Sequence, residues 1–290
     1  MAASDADLAR ALGSGAERFV VLHADDVGMC EATVSAYREL LATGQPIAAS
    51  TMVPCGWFPA AAALCREHPE ADMGVHLTLT SEWDGYRWGP ISTRDPASGL
   101  LDAEGCFPRS VAPVVRGAKR DAVRTELAAQ VERAQSAGID VTHLDCHMAV
   151  LFNDTLQPEY VDLARRTRLP IFNGRWDVRI MEMIGVDSGT VEPDPEFPSF
   201  ARHWMSPLHR PDEDAFDRVR RQIAKVPAGL TQLIFHPAAD GVELRAIAPD
   251  HRARVADFEV LRSGKLVDWM REEGVEPVSY RRLRDLVRAA

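Results

Sequence analysis

Two adjacent carboxylates, Asp25 and Asp26, stand where the apolar run of VVLHADDVG gives way to a glycine. With no Lys or Arg beside them in the sequence, they repel each other unless they cap a helix or share a cation. Three more apolar runs end in similar chemistry. MGVHLTL carries His76, VTHLDCH carries His143, Asp145 and His147, and TQLIFHP ends in His236 before Pro237. Each has an ordinary structural reading on its own. An Asp pair before a helix is a favourable cap, and a lone His in an apolar strand is commonly a hydrogen-bonded core residue. The four-residue spacing of His143 and His147 aligns them only on a helix, whereas here they leave a strand. Such residues at four separate run ends are hard to obtain from core packing alone, and the constellation points to a divalent-metal site.

A shared cation explains the paired carboxylates: one ligates, and the other stays unprotonated beside the metal as a base. Two neutral imidazoles and one carboxylate leave open positions for water and substrate, as in a catalytic rather than a structural site. Such a metal acidifies its water and polarises a carbonyl oxygen. The second Asp takes the water's proton, and a His on the far side protonates a leaving amine. These parts hydrolyse amides or esters.

The elements that must position them alternate along the chain. Strands are expected at Arg18–His23, Ile47–Val53, Asp72–Thr78, Asp140–Leu144, Leu169–Phe172, Leu230–Phe235 and Val275–Ser279. Helices are expected at Glu31–Leu41, Pro59–Arg66, Lys119–Ala137 (stopped by Gly138), Glu159–Thr167, Asp214–Lys225 and His251–Glu273. Regular alternation implies an α/β fold with parallel strands and helices outside, open or closed into a barrel. Its active site belongs at the carboxyl ends of the strands. Ser81–Pro108 and Asn173–Pro211 break the rhythm as long loops of the kind that carry function. With no repeat or linker, residues 1–290 read as a single domain.

A chain of 290 residues buries a large core, and a net charge of −10 argues against a nucleic-acid surface. No apolar stretch approaches the ~20 residues that span a bilayer. Cys30, Cys55, Cys65, Cys106 and Cys146 form no C-x-x-C pair, so neither a disulfide framework nor a cysteine zinc cage is indicated. The polar opening residues lack the pattern of a signal peptide, and the cytoplasm is the expected compartment. No serine-nucleophile elbow, phosphate loop or dinucleotide fingerprint is present.

The run HADDVGMCEATVSAYRELLATG resembles the opening motif of the YdjC-like carbohydrate deacetylases. GVHLTLT, THLDCH and FHPA resemble that family's later motifs in the same order, and ELRAIAPDHRARVADFEVL has the look of its tail. The resemblance spans most of the chain from about Phe19. It implies a metal-dependent N-deacetylase of acetylated amino sugars on a (β/α) barrel-like fold, regular or distorted. Asp26, His76 and His147 match the metal ligands, and Asp25 falls where the catalytic base is expected. His236 is the candidate general acid, with His143 and Asp145 as groups that orient His147. The implied cofactor is one divalent ion: the ligand set suits zinc, and the family is commonly assigned magnesium. Two departures mark the chain. Familiar members have Asn where His23 stands, and further histidines where Met148-Ala149-Val150 follow the second ligand. The surrounding pocket therefore differs from a chitin-oligosaccharide site.

Trp83, Tyr86 and Trp88 lie in the long loop after His76, either as faces for a sugar or as pins that hold the loop to the core. Arg175 could orient Asp25 or a substrate carboxylate, or form a surface ion pair. Cys146 reads as a buried small residue, because neighbours on an extended chain point to opposite sides. The expected partner is a small acetylated sugar, with no nucleic acid or membrane, and the sequence leaves room for a homodimer. The alternatives are a metal hydrolase of another small amide or ester, and a non-catalytic sugar-binding homologue. The latter is disfavoured because Asp25, Asp26, His76, His147 and His236 are all present.

Overall fold

The computed structural model describes residues 5–174, 193–207 and 214–289. Its centre is β1 (Arg18–Val27), buried from Phe19 to Val27. A strand covered on both faces reads as a continuous apolar run rather than an alternating one, as FVVL does. The other strands are β2 (Ile47–Thr51), β3 (Met73–Leu77), β4 (Leu144–Cys146), β5 (Phe200–Met205), β6 (Gly229–Phe235) and β7 (Glu276–Pro277). They form one sheet in the order β4-β3-β2-β1-β6-β5, with β7 paired to the start of β1. Every pairing is parallel.

Single bridges continue the ring past its two edges. Ile171 pairs with Leu144 of β4, and Gly174 pairs with Phe200 of β5. The sheet thus curls into a distorted (β/α) barrel, with helices such as Glu31–Ala42, Phe58–Glu67, Arg120–Ser136 and Gln157–Thr167 following its strands. Leu169–Phe172, expected as a strand, supplies only this bridging contact.

The register sets up the chemistry. Ala24 lies beside Phe235, which brings Asp25 alongside His236, and His76 pairs directly with Asp145. Helix Arg120–Ser136 locks the end of β3, since the Gln130 amide exchanges hydrogen bonds with the Thr78 backbone at 2.8 and 2.9 Å. The neighbouring Glu126, wholly buried, accepts from the backbone N–H groups of Ile91 and Ser92 at 3.1 and 2.8 Å. It thereby anchors the loop that follows His76.

Several expected boundaries are corrected. The expected helix His251–Glu273 is two helices, His251–Arg262 and Lys265–Glu272. They break where Gly264 takes φ +76, a left-handed conformation that ends helices. The strand expected at Asp140–Leu144 begins only at Leu144, and Val275–Ser279 shrinks to Glu276–Pro277. β5 falls inside the stretch expected to be a loop, its charged and aromatic FARHWM hidden beside Pro-rich flanks. Helices Asp5–Ala11, Val111–Gly117 and Val242–Ile247 were also not legible.

Candidate metal centre

Asp25, Asp26, His76, Asp145, His147 and His236 are buried at the carboxyl end of the sheet, whereas His143, just before β4, is buried deeper, beside Gly74 of β3. In a regular strand, Asp25 and Asp26 would point to opposite faces. A register shift between Ala24 and Val27 in the β1–β2 pairing interrupts that alternation. Asp26 takes φ +67, the left-handed region that non-glycine residues seldom occupy. As a result both carboxylates meet His76: its Nε2 lies 3.3 Å from Asp26 Oδ1 and 3.9 Å from Asp25 Oδ2. Gly28 follows at φ +86, where a Cβ would come within 3.2 Å of the Phe58 backbone, so the turn tolerates little else. Strain of this kind persists where the surrounding structure over-determines it, commonly at functional sites.

Three donor atoms converge: Asp26 Oδ1, His76 Nε2 and His147 Nδ1, the last 3.2 Å from Asp26 Oδ1. They belong to a set whose ligand atoms all lie within 4.8 Å of one another. The other contacts of each residue leave these atoms available. His76 Nδ1 sits 2.9 Å from Asp145 Oδ1, and Ser50 donates to Asp145 Oδ2 at 2.9 Å. His147 Nε2 sits 2.8 Å from Glu82 Oε1. Asp26 Oδ2 accepts from Arg254 Nη1 at 2.8 Å, whereas the buried Oδ1 faces only the two imidazole nitrogens. A buried carboxylate oxygen facing two imidazole nitrogens, each fixed from behind by a carboxylate, fits a divalent ion. Two other His/Asp sets meet the same spacing, His23–His143–Asp145 and Asp25–His76–Asp145. Their atoms are largely committed to one another through hydrogen bonds.

The charges agree. Burial would raise the Asp26 carboxyl, but Arg254 and the two imidazoles hold it well below the usual carboxylate range. Burial opposes charge on His76, yet Asp145 and Asp25 hold it well above an ordinary imidazole. Against the same penalty, Glu82 and Asp26 push His147 up to about 9.

The orienting groups differ from expectation. Asp145 holds His76, its register partner, while His143 meets His23, their Nε2 atoms 2.7 Å apart. The residue behind His147 is Glu82, which sequence reasoning missed. It lies in the loop after β3, where no periodicity reports side-chain direction. Arg254 was missed for a related reason: it reaches Asp26 from a helix 228 residues away in sequence. His203 is a third addition, half-buried in β5 with its ring nitrogens out of solvent, and pushed down to about 3 by burial and by nearby His23 and His236. His236 Nε2 stands 3.9 Å from Asp25 Oδ2, and its backbone N–H is anchored by Asp257 at 2.9 Å.

Trp83 and Trp88 are buried. Trp88 donates to the Thr80 carbonyl at 2.7 Å, and Trp83 stacks under the Arg254 guanidinium at 5.5 Å. Both pin the loop, and Tyr86 ties it to the Met29 carbonyl. Cys146 is buried, as expected. Arg175 lies outside the described residues. None of the helices among them is long and apolar enough to cross a membrane.

A parallel barrel with a buried imidazole–carboxylate cluster at its strand ends defines the class: an α/β barrel protein built around a candidate metal centre. The model of the YdjC-like protein family matches residues 19–272, and the chain belongs to that family. It is 32% identical to a carbohydrate deacetylase of Thermus thermophilus, covering 96% of this chain and 98% of the relative. A carbohydrate deacetylase of Geobacillus stearothermophilus is 30% identical, covering 91% and 97%. The crystal structure of an Enterococcus faecalis protein, provisionally described as a cellobiose-phosphate cleavage protein, superposes with a TM-score of 0.75. That match covers 91% of this chain and 98% of the other, and at 19% identity it shows the shared fold.

Proposed function

We propose that this protein is a metal-dependent carbohydrate deacetylase that hydrolyses the acetamide of a small N-acetylated amino sugar. The observation that carries the reading is the convergence of Asp26 Oδ1, His76 Nε2 and His147 Nδ1 beside a second carboxylate, Asp25. Family membership and relatives named carbohydrate deacetylases support the substrate class.

Asp26, His76 and His147 would hold one divalent ion, zinc or magnesium. When bound, such an ion supplies Lewis acidity to a carbonyl oxygen and lowers the pKa of water. Asp25 Oδ2 takes the proton of the attacking water as the new C–O bond forms. His236, on the far side of Asp25, gives a proton to the leaving nitrogen as the C–N bond breaks, yielding acetate and a free amine. Arg254 keeps Asp26 ionised and turned so that only Oδ1 faces the site. Glu82 and Asp145 keep the two imidazoles in the tautomers that present lone pairs inward.

Acetate release tests this reading. The protein is stripped with a chelator, reloaded with zinc or magnesium, and offered a panel of N-acetylated mono- and disaccharides. Metal-dependent release from one member is the expected result. No release from any member by the metal-loaded protein would move the function to another amide or an ester.

A further inference from the structure

Behind Asp26, His76 and His147 lies a second, entirely buried array of His23, His143 and Tyr280. His23 precedes Asp25 by two residues on β1, and its Nδ1 lies 2.6 Å from Asp25 Oδ1. On its other side, Nε2 meets His143 Nε2 at 2.7 Å. His143 is itself immobilised on three sides. Its Nδ1 lies 2.9 Å from Thr142 Oγ1. Its ring stacks on Tyr280 with centroids 3.7 Å apart and planes 12° from parallel. The third side is Gly74, where a Cβ would come within 2.6 Å of the ring, so that a glycine makes the space the imidazole fills.

We propose that His23 is a positioning residue that selects which oxygen of Asp25 does the chemistry. The inference rests on the deacetylase reading for what that chemistry is. A carboxylate only accepts hydrogen bonds, so His23 Nδ1–H donates to Oδ1 and occupies it. Oδ2 is left as the oxygen that faces the site, 3.9 Å from both His76 Nε2 and His236 Nε2. The clamp on His143 prevents the His23 ring from swinging, and the Asp25 carboxylate is thereby held at one torsion. His23, His143 and Tyr280 are all fully buried, so none of them is available to substrate. Their contribution to turnover acts through Asp25.

Two amide substitutions separate this role from simple packing. In His23→Asn the side-chain amide stands near the Nδ1 position, keeping a donor for Asp25 while giving up His143. In His23→Gln it stands near the Nε2 position, keeping the link to His143 while leaving Asp25 Oδ1 without its donor. With zinc-loaded enzyme, the Gln variant is expected to lose roughly 10- to 100-fold in kcat. KM and zinc affinity should be unchanged, and the Asn variant should retain most of kcat. An equal loss in both variants, or wild-type kcat in the Gln variant, would overturn the proposal.

Crystal structures of the two variants give a readout that needs no turnover. The Asp25 carboxylate should stay in place with Asn and rotate with Gln; an unmoved carboxylate in the Gln variant counts against His23 as decisively as kinetics would. If the wild-type protein releases no acetate at all, the deacetylase reading fails. The crystallographic comparison still decides whether His23 sets Asp25.

Discussion

A metal that binds Asp26, His76 and His147 must drive protons off both imidazoles, and the structure says how strongly they are held. His147 is pushed up to about 9 from an ordinary 6.5, a difference of about 3 kcal/mol in favour of the protonated ring. His76 is also held well above the usual imidazole range, while Asp26 stays ionised and contributes no proton. Near neutral pH His147 of the metal-free protein is therefore an imidazolium, and binding releases its extra proton, with a second wherever His76 is charged too. Where both rings are protonated, apparent zinc affinity should rise by up to about 100-fold for each pH unit. Competition against a chromophoric chelator between about pH 6 and about pH 8 measures the slope. Calorimetry in two buffers of different ionisation enthalpy counts the protons.

Stability of the metal-free protein runs the other way. A raised His147 stabilises the fold fully below its unfolded value of 6.5, and this contribution disappears as pH rises through about 9. On the order of 3 kcal/mol is lost across that window, whereas zinc-loaded protein shows no such loss because His147 has already given up its proton. Zinc affinity that ignores pH, with no proton released, would remove these imidazoles from the ligand set.

Other outcomes follow from the same geometry. Asp25→Asn should keep its metal and lose roughly 10²- to 10⁴-fold in kcat; wild-type kcat would mean that Asp25 is not the base. Glu82→Ala frees the His147 ring from its orienting carboxylate and should weaken zinc binding by roughly 10- to 100-fold. Unaltered affinity would show that the His147 tautomer is set elsewhere. Glu126→Ala removes the acceptor of the half-buried Ile91 and Ser92 N–H groups and should cost about 2 kcal/mol, or about 3 °C in Tm, with zinc affinity preserved. No change in Tm would place the anchor of the 81–108 loop on other contacts.

The parallel barrel was legible because its central strands are buried on both faces and its helices follow at regular intervals. β5 was not, because FARHWM carries charge and lies among Pro-rich neighbours; it becomes a strand through its ladder with β6. The helix after His251 was read as too long, since nothing but Gly264 and its neighbouring serine marks the break. In the site, Asp25, Asp26, His76, His147 and His236 could be picked out because each ends an apolar run. Asp145 and His143 were picked out as well, but their partners were not. Sheet register gives Asp145 to His76, and the clamp of Gly74 and Tyr280 turns His143 to His23.

By itself, then, the sequence determined which residue types reach the carboxyl edge of the sheet, because strand-end position follows from apolar patterning along the chain. Only the tertiary structure decided how they face one another. Two consecutive Asp side chains share one site only because β1 breaks its alternation there, with Asp26 at φ +67. Arg254 and Glu82 arrive from a distant helix and an aperiodic loop to take one atom each of Asp26 and His147. Local sequence carries no term for such contacts; packing in three dimensions creates them.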